Sequence, residues 1–248
     1  MATVSKEALI FQNRIKSFDE DLEMVDILKI ALRNNDLLKE NNKLFKYTDS
    51  RKHVQLCSRA VTDQSRNIIV YHLRKTVYSS YLKDLYEELT GYLKSLLTEA
   101  AKLSKDKTKA GRLLGEHNIS IKAIDILQYS TIEDLTVYVA ESIIQALENE
   151  RSTKDLILKI CRKTDISVSN EIIDSAMPYL DIRHKLVHTN GKLDDDFHTK
   201  YPQIECDEDS NVALNYSLIR KAKDSVTALV LAIDEKAIEK GILSPNTA

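Results

Sequence analysis

The stretch from Thr62-Asp63 to Lys102 constrains the fold more than any other part of the chain. Its apolar residues Ile69, Leu73, Val77, Tyr81, Leu85, Leu89, Leu93 and Leu96 return at intervals of three or four. That spacing lines one face of an α-helix, whereas a half-buried strand would need strict alternation. A weaker version of the pattern, with Leu9, Ile15, Phe18, Leu22, Val25, Leu28, Leu32 and Leu37, predicts helix over about 5–46, and Ser17-Phe-Asp-Glu20 has the form of a capping box. A break near Tyr47–Arg51 starts a new element.

Beyond the long helix, Ser130-Thr-Ile-Glu133 heads a predicted helix to about Glu150, and Ser152-Thr-Lys-Asp155 heads a shorter one. A further helical stretch runs from about Ser169 to Thr189 with Pro178 inside it, which predicts a kink or a new start there, because proline removes a donor and clashes with the preceding turn. Asn190-Gly191 ends that stretch. QIEC and NVALN, around an acidic turn, predict a small β-hairpin near 203–215, and a last helix is expected over about 216–240. With 5 Gly and 3 Pro in 248 residues, an all-β fold lacks its turns. The expectation is an all-α helical bundle with long antiparallel helices and one domain over 1–248, with a helical extension over about 1–60 and a core over about 60–240. No repeat or low-complexity tract divides it.

Charge narrows the function. A net charge of −2 excludes a generic polyanion binder. A local exception is Lys102, Lys105, Lys107, Lys109 and Arg112, interrupted only by Asp106, which forms either a solvated loop or a phosphate-tracking one. The stretch 194–209 is acidic in contrast. Cys57, Cys161 and Cys206 form an odd set with no CxxC pair and no zinc-ligand spacing, which predicts free thiols in a reducing compartment and no metal. MATVSKEALIFQNRIK meets charge too early for a secretory leader, and VTALVLAI at 226–233 is far too short to span a bilayer. A cytoplasmic protein without a membrane partner is expected.

No glycine-rich phosphate loop, GxSxG or HExxH is present. Histidine and arginine remain. Arg183-His-Lys-Leu-Val-His188 places Arg183 and His188 five residues apart, about 140° around a helix, while Ile182, Leu186 and Val187 stay free for a core. An imidazole can take the proton of a ribose 2′-OH or give one to a leaving 5′-oxygen, because it titrates near neutrality. A guanidinium can grip the phosphate and stabilise its developing charge. An Arg followed by His after four to six residues is a common pattern: Arg66…His72 and Arg112…His117 also match it. In a purely structural alternative, His188 sits on the helix dipole and Arg183 in a surface ion pair.

The segment PYLDIRHKLVHTNGKLDDDFHTKYP resembles the signature of the HEPN superfamily, especially its RiboL-PSP-HEPN-type members, which carry Arg-x4–6-His with a polar residue after the Arg. RNIIVYHLRKTVYSSYLKDLYEEL is similar to the long second helix of that family, and the likeness covers roughly 60–240. It implies a helical bundle that dimerises so that two motifs meet. It also implies a metal-independent, cofactor-free endoribonuclease acting on RNA as a toxin or anti-phage effector. The resemblance assigns His188 as general acid/base, Arg183 as phosphate clamp and His184 as polar orienter, with a partner or antitoxin protein as a further expectation. Some members have a Tyr two residues after the motif His, where a partner attaches AMP; here that residue is Asn190, so that neutralisation is not expected. Catalytically silent members leave a second alternative, a non-catalytic interaction module in a defence or toxin–antitoxin complex.

Overall fold

The computed structural model describes residues 3–34, 51–52, 63–103, 122–148 and 152–246. Within them the chain forms α1 (Lys6–Arg33), α2 (Asp63–Leu103), α3 (Ala123–Leu127), α4 (Ile132–Glu148), α5 (Thr153–Thr164), α6 (Asn170–His188), α7 (Asp195–Lys200) and α8 (Tyr216–Glu239). The fold is all-α, with no strand among the described residues.

Helix α2 is the spine. It packs against α1, α4, α5, α6 and α8, and so must be apolar over more than one stripe. Tyr81, Leu85, Leu89, Leu93 and Leu96 of the predicted stripe are buried, together with Tyr78, Leu82, Tyr92 and Leu97 on flanking faces. Ile69, Leu73 and Val77, near the helix start, are only half-buried. Helix α1 contributes Phe11, Ile15 and Leu22 to the same core cluster, and α8 contributes Val226, Leu229, Val230 and Ile233. Residues read from sequence as an N-terminal extension therefore lie against the spine.

Capping chemistry sets several of the helix starts, though not always at the expected residue. Ser152 and Asn215 accept from the amides of Asp155 and Leu218 at the heads of α5 and α8. For α4 the cap is Thr131, one residue later than expected: its hydroxyl accepts from the Asp134 amide and donates to the Asp134 carboxylate. Ser17 caps nothing, since it lies inside α1 and its hydroxyl donates to the Arg14 carbonyl. The cap of α1 is Ser5, whose Oγ accepts from the Ala8 amide.

Ser5 also joins the two ends of the described chain. Its amide and hydroxyl both donate to the Asp234 carboxylate, at 2.8 and 2.5 Å, and the Tyr92 hydroxyl donates to the same group at 3.1 Å. Asp234 is 1% exposed, so these three donors replace its water. An antiparallel bridge between Ser5 and Pro245 lies beside this contact.

Two expectations are narrowed by the fold. Pro178 starts no new element: Asn170–His188 is a single helix that carries the buried proline inside it. The expected hairpin near 203–215 shrinks to one antiparallel bridge, Cys206 to Val212. Asp207 closes the turn, its carboxylate accepting from the Asp209 and Asn211 amides, and the bridge is flanked by bonds from the Asp207 amide to the Asn211 carbonyl and from the Ala213 amide to the Glu205 carbonyl, at 2.8 and 2.9 Å. No helix of the described residues is long and apolar enough to cross a membrane.

Candidate functional site

Helix α6 has two unlike faces. Ile173, Ala176, Met177, Leu180, Ile182 and Leu186 are buried against the core, which turns His184 and His188 outward. Four residues apart, the two histidines stack one above the other, with ring centroids 4.3 Å apart. Arg183 lies at the edge of the buried face and turns back to α2. Its guanidinium carbon is 4.4 Å from the centre of the Tyr86 ring, and its Nε is buried without a hydrogen-bond partner. Among the described residues no carboxylate pairs with Arg183. Among these residues the cation rests on an aromatic face instead, an attraction of about 0.5–2 kcal/mol.

The turn after α6 positions the rest. Thr189 and Gly191 both donate their amides to the Lys185 carbonyl, at 2.9 Å each. Asn190 (φ 54°) and Gly191 (φ 89°) adopt the left-handed conformation that the Asn-Gly pair foreshadows. A β-carbon on Gly191 would stand 3.2 Å from Leu186, so the chain here is tight as well as left-handed. The reversal brings α7 alongside α6. Asp194 caps α7 through the Phe197 amide and pairs with Lys185. At the far end of α7, Lys200 and Tyr201 both reach Asp181 of α6, at 3.0 and 2.6 Å.

The result is a groove of about 500 Å³ between α6, α7 and Tyr86, with Arg183, His184 and His188 in its wall. Its electrostatics are mixed. Asp181 is engaged by Lys200, and Asp194 by Lys185, so two of its three carboxylates already have cations; the third, Asp196, stands at the rim. Burial lowers the His184 pKa below the usual imidazole value, and the neighbouring charge of His188 lowers it further. Both causes favour the neutral, proton-accepting form of His184. Burial, then the bond to Asp181, pushes the Tyr201 hydroxyl up to about 12, so it stays a donor. The Asp194 carboxyl is held down chiefly by its Lys185 partner.

The structure brings the three expected motif residues together. His198, which clusters with them in sequence, does not line the groove. Lys102 ends α2 in an exposed pair with Glu99 at 2.8 Å and is also absent from the wall, while Lys105, Lys107, Lys109 and Arg112 lie outside the described residues. Cys161 is buried, which pushes its thiol up to about 11; Cys206 is exposed, and Cys57 lies outside the described residues. Among the described residues no three His, Cys, Asp or Glu side chains converge as a metal-ligand set. Sequence reasoning missed Tyr86 and the Asp181–Lys200–Tyr201 contact. Nothing local marks them, because both depend on how α6 meets α2 and α7. Comparison with known proteins finds no matching family model, no similar curated protein and no similar solved structure.

Proposed function

We propose that the chain is a metal-independent endoribonuclease of the HEPN type, acting as a toxin or anti-phage effector, with its site completed at a homodimer interface. The observation that carries this reading is the Arg183 guanidinium, stacked on Tyr86 and without a carboxylate partner among the described residues, beside two imidazoles in contact. A guanidinium in an open groove is a place for an anion, and a phosphate diester fits its fork. His188 takes the 2′-OH proton as the 2′-oxygen attacks phosphorus. The O2′–P bond forms, the P–O5′ bond breaks, and an imidazolium returns a proton to the leaving 5′-oxygen. His184, neutral beside it, orients the reacting imidazole. His184 and His188 are exposed, with Val187 46% exposed between them, an apolar contact suited to a second copy of the same helix end.

Arg183→Ala and His188→Ala should each abolish RNA cleavage and any growth toxicity while the helical content stays unchanged. Full activity in both variants refutes the proposal. A second reading, a non-catalytic module that binds a partner protein, is favoured by one observation: Asp181, Asp194 and Asp196 share the groove and weaken its pull on a polyanion. That reading expects no cleavage and a stable protein complex.

A further inference from the structure

A second recess opens on the same helical turn and shares no lining residue with the groove. It has a volume of about 230 Å³ and lies between the opening turns of α2, the α6 terminus at Asn190 and the 212–215 segment. Two cations face it, Arg74 and Lys75. The Arg74 side chain is held in place by one bond from Nη2 to the Leu214 carbonyl at 2.8 Å, but its Nε is buried with no hydrogen-bond partner. Among the described residues neither Arg74 nor Lys75 forms an ion pair. The one carboxylate in the recess, Asp207, is committed to its own turn, where it accepts from the Asn211 side chain and from two backbone amides. At the mouth stands Tyr71, 50% exposed, its ring held edge-on to His72.

Two cations, an exposed aromatic ring and a side-chain amide are the recognition elements of a nucleotide. The recess is smaller than the ~300–1,000 Å³ of pockets that enclose a whole small molecule, which favours one unit of a longer chain over a free metabolite. We propose that it is a subsite for single-stranded RNA: Arg74 and Lys75 hold one phosphate, and Tyr71 stacks the adjoining base. The inference rests on the nuclease reading, and it supplies what the mixed charge of the groove lacks, a cationic foothold beside the end of α6 at Asn190.

The test uses the wild-type chain and a fluorescent 2′-O-methyl oligoribonucleotide, which lacks the attacking hydroxyl and is not cleaved. Binding is followed by anisotropy across a salt series. Tyr71→Ala should weaken binding about 5-fold or more, the loss expected for one stacked base. Lys75→Gln should weaken it and lower the slope of log K against log salt by about 0.7, one phosphate on a single strand. Both residues are on the surface of α2, and unchanged thermal midpoints check that the fold is kept. Binding by the wild type with both variants indistinguishable from it overturns the subsite and leaves the nuclease reading standing. No binding by the wild type overturns both.

Discussion

Removing the Asp234 carboxylate should cost more stability than removing any surface charge. Asp234 sits 1% exposed on α8 and accepts from the Ser5 amide, the Ser5 hydroxyl and the Tyr92 hydroxyl. Asp234→Ala leaves three buried donors without an acceptor, at about 1–3 kcal/mol each. The two hydroxyls can rotate to other partners but the Ser5 amide cannot, so the sum falls toward the lower end, about 3–5 kcal/mol. A small domain is stable by only about 5–15 kcal/mol. With a urea slope of about 3 kcal/mol per M, the midpoint should drop by about 1–2 M. Asp234→Asn keeps one acceptor oxygen for the hydroxyls but sets its NH₂ against the Ser5 amide, and should cost about 2 kcal/mol. Urea unfolding followed by far-UV circular dichroism measures both. Midpoints that agree with wild type to within about 0.5 kcal/mol, the range of ordinary surface changes, would show that the two ends of the chain are not tied through this group.

Three further outcomes follow from the site and its surroundings. In ¹H NMR, the His184 imidazole should titrate below the usual value near 6.5 and move part of the way back in His188→Ala, because burial is the larger cause and the His188 charge a lesser one; an unmoved His184 removes the coupling. Since its folded pKa is depressed, the unfolded chain binds the proton more readily, so this contribution to stability is intact above the ordinary imidazole value and is lost as pH falls through it toward the folded value. Gly191→Ala should destabilise by about 1–2 kcal/mol, since alanine resists a φ of 89° and its methyl would press on Leu186; a thermal midpoint equal to wild type contradicts the tight-turn reading. Thiol labelling in native buffer should modify Cys206 and spare Cys161 until the chain unfolds, because burial holds the Cys161 thiol at about 11; labelling at equal rates would place Cys161 at the surface.

What the sequence discloses and what it hides divide along a physical line. Local rules carry the helices: the three-to-four spacing marks α2, Ser152 marks the start of α5, and Asn190-Gly191 marks the end of α6, whereas the Asn215 cap of α8 falls in a piece read as strand. They also put His184 and His188 on one face, because residues four apart on a helix must be neighbours. The same rules misread Ser17, whose pattern matches a cap but whose hydroxyl bonds back to Arg14 inside a helix anchored instead at Ser5. They allow a new start at Pro178, whereas Asn170–His188 runs through it as one helix with the proline buried. The short β-prone pieces QIEC and NVALN meet in a single bridge, with Asp207 closing the turn between them. Tyr86 beneath Arg183, Asp181 under Lys200 and Tyr201, and Ser5 on Asp234 are contacts between distant parts of the chain. No periodicity fixes which residue of one helix meets which of another, so these had to come from the assembled fold.

The central claim is the chemistry assigned to Arg183 and His188, and the ends of cleaved RNA report on it most directly. Purified protein should cut single-stranded RNA in excess EDTA and leave 2′,3′-cyclic phosphate and 5′-hydroxyl ends, because an attacking 2′-oxygen stays bonded to phosphorus and the 5′-oxygen departs. Products with 3′-hydroxyl and 5′-phosphate ends, or cleavage that stops when EDTA is added, would mean that water or a metal ion drives the reaction, and the account built on this helix end would be wrong.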